Sequence, residues 1–406
     1  MDNRLLRDYA RLIAKTGGHV IKGDEVWISC GLDQPDFITM LVEECYKCGA
    51  KSVEVRWSHD PLTKLHYKYM TLGNLSKVTP YALARQKYFA KKLPVMIHVI
   101  SDDPDALKGI NQMKLAKSSA RVYGKIKKYR DASDGKYKWC IAGVPGKAWA
   151  KKVFPDLNEE EAVEKLWEAI LYTSRVDGEN AVENWNKHNE FLISQREKLN
   201  KMDLRKLIYH SENGTDFEVE LIPGIHWGAG VETAPNKGEF NPNIPSEEVF
   251  TSPMAGKCEG KLVSTKPLSY NGELIEDFSI TFKDGKVSEV HARKNQKLLE
   301  TMVSMDEGAS MLGEVALVPY TSPINLSGIL FYNTLYDENA TCHVALGMGF
   351  KELLNNDLTT EEAKEKGIND SMIHVDFMVG SKDLDIVGID AKGQKHQIFK
   401  DGEWAI

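Results

Sequence analysis

The sequence has no apolar run approaching the roughly 18 residues of a membrane-spanning helix, which argues against a helical membrane protein. It has no basic excess either. With 52 Lys and Arg against 59 Asp and Glu, the formal charge is −7, so the positive footprint of a nucleic-acid binder is missing. No GxGxxG follows the first expected strand. Gly143-Val144-Pro145-Gly146-Lys147-Ala148 only imitates a phosphate loop, because its glycines are too close together and Ala148 stands where a metal-binding hydroxyl belongs. The plain reading is a strand-to-helix turn. Cys45-x-x-Cys48 has no second CxxC and no nearby His pair, so the pair reads as two packed thiols on a helix. There is no internal repeat or low-complexity tract. The start, Met1-Asp2-Asn3-Arg4-Leu5-Leu6-Arg7, continues as an amphipathic helix without the apolar stretch of a secretory signal. A cytoplasmic protein with six reduced cysteines is expected.

A chain of 406 residues, 42% hydrophobic and 27% charged, exceeds the comfortable size of one core, so two domains are expected. Residues 1–204 alternate strand and helix. Val26–Cys30, Ser52–Trp57, Leu93–Ile100 and Trp139–Gly143 read as strands, with a helix from Pro35 to Cys48 completing a βαβ unit. This pattern predicts an open, largely parallel α/β sheet. Charged helices follow, over Asn158–Arg175 and Glu183–Asn200. From Lys206 the texture changes to short strands with hairpin turns at Glu212-Asn213-Gly214, Lys283-Asp284-Gly285 and Lys400-Asp401-Gly402. Helices are expected near Asn295–Met305 and Thr360–Lys366. The fold class is therefore α/β plus α+β, with a boundary near Leu204 and a β-rich second domain over 205–406.

That second domain carries the chemistry. Glu248, Glu314, Glu338, His343, His374 and Asp376 lie in four short segments punctuated by Pro and Gly. In His374-Val375-Asp376, period-2 alternation puts imidazole and carboxylate on one face of a strand. Glu314 sits in the otherwise apolar Met311–Pro319, where an unpaired carboxylate would cost on the order of 2 to 7 kcal/mol unless a partner neutralises it. Any one of these residues alone is better explained by hydrogen bonding within a core. Together, four carboxylates and two imidazoles without thiolates suit zinc, cobalt or manganese, and they exceed what one tetrahedral ion needs. The surplus points to two divalent ions.

The same segments carry a resemblance. Asn243–Thr251, Leu312–Pro319, Asp337–His343 and His374–Gly380 resemble, in order and separation, the signatures of the M29 family of metallo-aminopeptidases. The resemblance extends over the chain and is most specific from Asn241 to Gly380. It implies a dinuclear centre held by Glu248, Glu314, Glu338, His343, His374 and Asp376, with Glu314 bridging; Glu314 and Glu338 are the expected catalytic carboxylates. It further implies peptide substrates with a free N-terminus and a homodimer in which the N-terminal domain helps enclose the site. One position departs from the family: seven residues after His343, where relatives place a Tyr thought to assist catalysis, this chain has Phe350, which cannot donate a hydrogen bond. Tyr320, Tyr332 and Tyr336 are candidate substitutes, with ordinary packing as the plainer explanation of each.

The general base stays open between Glu338 and Glu247. If the segment is a strand, Glu247 points away from Glu248 and into solvent. His226, in Ile225–Gly230, is better explained by a turn. A dinuclear phosphoesterase or amidohydrolase is an alternative, although no Arg/Lys-rich segment lies beside the ligands, and Phe350 motivates a further one, a noncatalytic, metal-dependent peptide-binding or structural protein.

Overall fold

Four strands, Glu25–Gly31, Ser52–Ser58, Val95–Ile100 and Trp139–Gly143, pair in parallel, with the Glu25 strand between the Ser52 and Val95 strands. The computed structural model describes residues 1–176, 178–235, 237–354 and 358–406. The helix Pro35–Lys47 opens with proline, whose fixed φ and missing N–H suit a first helical turn. It buries Phe37, Ile38, Leu41 and Cys45, the helical spacing read from the sequence. Burial pushes the Cys45 thiol up to about 12, which leaves it an inert hydrophobe. Gly143 leads through a short turn into the helix Lys147–Val153, as the plain reading of that loop requires. A fifth strand of two residues, Asn243–Ile244, joins the same sheet against Ile141 and Ala142.

The chain forms two compact units, Met1–Asn186 with Val231–Ile244, and Lys187–Gly230 with Pro245–Ile406. No helix among the described residues is long and apolar enough to cross a membrane.

The second unit is built on antiparallel pairing. The expected hairpins form, joining Leu204–His210 to Asp216–Leu221 and Glu273–Lys283 to Lys286–Lys294. Asp284 and Gly285 both take positive φ, as a tight two-residue turn demands. Expected helices appear as Gln296–Val303 and Thr360–Glu365, the latter closed by a Thr359/Glu362 capping box. A five-stranded antiparallel sheet runs in the order His374–Met378, His343–Gly347, Leu312–Leu317, Val249–Thr251, Gly228–Ala229.

The faces of this sheet are sorted by chemistry. Leu312, Val315, Leu317, Val344, Leu346, Val375 and Phe377 join the hydrophobic core that also holds Leu207, Tyr209, Phe217 and Phe282. Each such side chain contributes roughly 1.5 to 3 kcal/mol by leaving water. The intervening Glu314, His343, Ala345, His374 and Asp376 occupy the other face. Leu312 and Val315 share a face although three residues separate them. The reason is a bulge at Gly313: Leu312 pairs with Leu346 and Glu314 with Ala345, so one residue is extra and the parity resets. A Cβ at Gly313 would lie 2.3 Å from the carbonyl oxygens of both Gly347 and Met348, so only glycine fits there.

Candidate metal centre

Strand register brings the site together. Glu314 pairs with Ala345, and Ala345 pairs with Asp376, so the two carboxylates flank one small residue in a row across three strands. Side chains of directly opposed residues project to the same side. His343 is two residues from Ala345, and His374 two residues from Asp376, which puts both imidazoles on that face. Glu248 joins them from the end of an irregular stretch just before Val249–Thr251.

Glu248, Glu314 and His343 offer ligand atoms within 4.8 Å of one another, as do Glu314, His374 and Asp376. These are the only such groups of three or more among the described residues, and both contain Glu314. His343 Nε2 lies 3.1 Å from Glu248 Oε2, and His374 Nε2 lies 3.0 Å from Glu314 Oε2 and 3.3 Å from Asp376 Oδ1. Glu338 belongs to neither triad but is close enough for its charge to interact with Asp376, Glu248 and Glu314. All six expected residues therefore converge on one region.

The nitrogen facing away from each centre is also engaged. His343 Nδ1 lies 3.2 Å from the Thr341 carbonyl oxygen, and His374 Nδ1 lies 2.7 Å from that of Met348. An Nδ1–H donated to a carbonyl orients the ring so that Nε2 faces the carboxylates, protonated there without metal and the nitrogen that would turn its lone pair to a bound cation. The donor set fits divalent metal on a second count. Asp376 is 7% exposed, and its Oδ1 has only the 3.3 Å approach of His374 Nε2 without a well-formed hydrogen bond, an arrangement that a cation would satisfy.

Electrostatics without metal show the crowding. Burial pushes the Glu314 carboxyl up to about 7, and the charges of Asp376 and Glu248 add to this against the opposing His374. Glu338 is held well above the ordinary carboxylate value, first by burial and then by Asp376, Glu248 and Glu314. Burial works against a charged imidazole, yet the surrounding carboxylates outweigh it. They raise His343 to about 9 and His374 to about 12. Like charges this close strain the site unless a cation joins them.

Glu247 corrects the sequence reading. It is 3% exposed rather than solvated, because Pro245–Glu248 is not a strand and alternation does not apply. Its backbone N–H donates to Asn339 Oδ1 at 2.7 Å, and its carboxylate lies 3.7 Å from His188 Nε2, which is itself 2.8 Å from the Ser246 carbonyl oxygen. Cys342, beside His343, faces the opposite way and exchanges contacts with the Val318 backbone at 3.3 and 3.4 Å.

Three residues that the sequence did not flag shape the centre. Asn339 is fully buried. Besides accepting from Glu247, it donates to the Leu335 carbonyl at 3.1 Å and to Glu338 Oε1 at 3.3 Å, so it ties the Glu248 segment to Glu338. Its place next to Glu338 was the only available signal. Ala345 leaves the room in which Glu314 and Asp376 meet, and nothing in a buried strand distinguishes that alanine. Asp337 accepts from the amides of Phe331 at 2.7 Å and Asn333 at 3.0 Å, and burial pushes its carboxyl up to about 7.

The aromatic neighbours are sorted too. The Phe350 ring centroid lies 5.1 Å from that of His374 and 5.3 Å from that of Phe250. Tyr336 is fully buried and stacked on Phe331 at 4.6 Å, so packing accounts for it. Tyr320 belongs to the turn at Gly402, to whose carbonyl its amide donates. Tyr332 differs: with Asp337, Glu338, Asp376, Ser269 and Thr334 it lines a narrow cavity of about 40 Å³. Its φ of +55° is a left-handed conformation that costs a bulky residue on the order of 1 to 3 kcal/mol.

Comparisons with known proteins follow the same lines. A family model described as thermophilic metalloprotease (M29) matches residues 2–404. Aminopeptidase AmpS of Bacillus subtilis is 39% identical over 98% of each chain, and aminopeptidase 2 of Geobacillus stearothermophilus is 37% identical over 98% of this chain and 97% of its own. The solved structure of wild-type AmpT from Thermus thermophilus superposes with a TM-score of 0.91 at 32% identity, covering 99% of both chains.

Proposed function

The chain belongs to the M29 family of thermophilic metalloproteases, and we propose that its Glu314-centred cluster is a catalytic centre for two divalent ions that removes N-terminal residues from peptides. Membership makes the chain a metal-dependent hydrolase of peptide bonds. The observation that carries the two-ion reading is the pair of triads sharing Glu314, one through Glu248 and His343, the other through His374 and Asp376. A carboxylate common to two such groups would be available to both ions. With neutral imidazoles, the four carboxylate charges of Glu248, Glu314, Glu338 and Asp376 are balanced by two divalent ions. All six residues fall within 205–406, the proposed catalytic domain.

When bound, such ions lower the pKa of a water towards neutrality and polarise the scissile carbonyl as Lewis acids. The protein's own groups supply the rest. The Thr341 and Met348 carbonyls hold His343 and His374 in register. Glu338, which stands beside both triads without belonging to either, would take a proton from the attacking water and return it to the leaving amine. Asn339 keeps that carboxylate oriented. A free α-ammonium can pair with a carboxylate of this acidic site, whereas a blocked N-terminus cannot, which favours unblocked substrates. A cytoplasmic homodimer using zinc, cobalt or manganese completes the reading, supported by composition and by the family likeness.

The test is release of the first residue from free and N-acetylated forms of one peptide. It compares chelated protein, protein resupplied with Zn, Co or Mn, and a Glu314→Ala variant. Metal-dependent cleavage of the free form alone, lost in the variant, is expected. Protein holding two equivalents of metal that leaves unblocked peptides uncut would sink the reading.

A further inference from the structure

Peptide hydrolysis places negative charge on the scissile carbonyl oxygen, and a neutral hydrogen-bond donor aimed there stabilises the transition state. Around the centre, carboxylates dominate, the imidazoles direct Nε2 at those carboxylates, and Phe350 presents a ring with no donor. The cavity beside Glu338 and Asp376 has Tyr332 in its wall. We propose that Tyr332 is a catalytic residue whose phenolic hydroxyl donates to the carbonyl oxygen of the scissile bond, an assignment that rests on the aminopeptidase reading above.

Two linked observations meet at this residue. The first is its backbone: among the described residues with positive φ other than glycine, Tyr332 is the only Tyr, Phe or Trp, the rest being His, Leu, Arg, Asn or Asp. An aromatic residue keeps that conformation only where its surroundings over-determine it, and such strain concentrates at functional sites. The second is the clamp that does so. The buried Asp337 carboxylate accepts from the amides on both sides of Tyr332, those of Phe331 and Asn333. Asp337 is therefore a positioning residue, placed directly before Glu338, so one short segment fixes both the proposed base and the proposed donor. The other hydroxyls of the cavity lack this arrangement. Ser269 lies in the strand Leu268–Tyr270, and Thr334 is the exposed first residue of the helix Thr334–Asp337. The phenol also has the longest reach of the three.

The experiment is Tyr332→Phe in the full, metal-loaded chain, which keeps the ring and removes the donor. The turnover number for an unblocked dipeptide should fall on the order of 10²- to 10³-fold, the loss seen when one such donor is deleted. KM, metal stoichiometry and melting temperature should stay close to wild type. Affinity for an α-aminophosphonate dipeptide analogue, a tetrahedral mimic, should fall by a comparable factor, while binding of the product amino acid is unchanged. Tyr320→Phe, at the Gly402 turn, should leave both measurements as they are. A Tyr332→Phe protein that turns over within threefold of wild type, or that binds the phosphonate equally well, overturns the assignment. So does a loss of turnover matched by loss of metal or a lowered melting temperature, which would mark Tyr332 as structural. Wild-type protein that cleaves no peptide would instead overturn the aminopeptidase reading, and this assignment with it.

Discussion

Glu314 and Asp376 face each other across Ala345, on strands that are not neighbours, with ligand atoms within 4.8 Å of one another in the group they form with His374. Two charged groups approach this closely because the residue between them has only a methyl group.

Filling that space should separate metal binding from folding. Ala345→Leu adds bulk between the two carboxylates while staying compatible with a buried strand. We expect metal stoichiometry to drop by at least half and peptide hydrolysis to be lost, at a stability cost of about 1 to 3 kcal/mol for overpacking. Metal analysis by mass spectrometry beside a urea titration checks this. Full metal occupancy in the variant would mean that the row across Ala345 does not form the centre.

Asn339 serves two segments at once, so its variants should differ in kind. Asn339→Ala leaves the Glu247 amide and the Leu335 carbonyl without their partner, and should lower stability by about 1 to 3 kcal/mol. Asn339→Asp keeps the acceptor for Glu247 but sets a second carboxylate against Glu338 in place of a donor. Its loss should appear mainly in turnover. Equal stability of Asn339→Ala and wild type in denaturant would contradict this account.

The bulge at Gly313 is a steric requirement. In Gly313→Ala the new methyl would meet the Gly347 and Met348 carbonyl oxygens, and the latter is the partner of His374 Nδ1. Destabilisation of roughly 2 kcal/mol or more is expected, together with weaker metal binding, since Glu314 and His374 are displaced together. Calorimetry with and without metal would show both effects, and a variant with wild-type melting and metal affinity would rule the requirement out.

Acid sensitivity should arise in part from the parallel sheet. Burial lowers the His98 pKa below its ordinary 6.5. As pH falls below 6.5 the unfolded chain takes up a proton that folded His98 resists, so stability declines until the lower folded value is passed. Above 6.5 the residue makes no such contribution. His98→Gln should flatten the fall of stability across that window and leave the values above pH 7 nearly parallel to wild type. Denaturation midpoints at several pH values test it, and an unchanged slope would assign the sensitivity to other groups.

Chemistry and local structure were written in the residues. Val26–Cys30 read as a buried strand from its near-continuous apolar run, and Ser52–Trp57 as the next because its side chains alternate at period 2. His374-Val375-Asp376 read as two donors on one face for the same geometric reason, and the strand His374–Met378 carries them so. Turns such as Asp284-Gly285 were legible because few residues tolerate positive φ. Glu247 was misread, since alternation was assumed where Pro245–Glu248 has no strand geometry. Only the tertiary structure decided which residues meet. Register sets Glu314 opposite Asp376 through Ala345, and carbonyls of Thr341 and Met348 decide which imidazole nitrogen faces the carboxylates. These depend on pairings between segments far apart in the chain, and backbone carbonyls are the same atoms in every residue, so no side-chain pattern records them. Sequence thus determined the donors, and folding determined the distances at which they can share a metal.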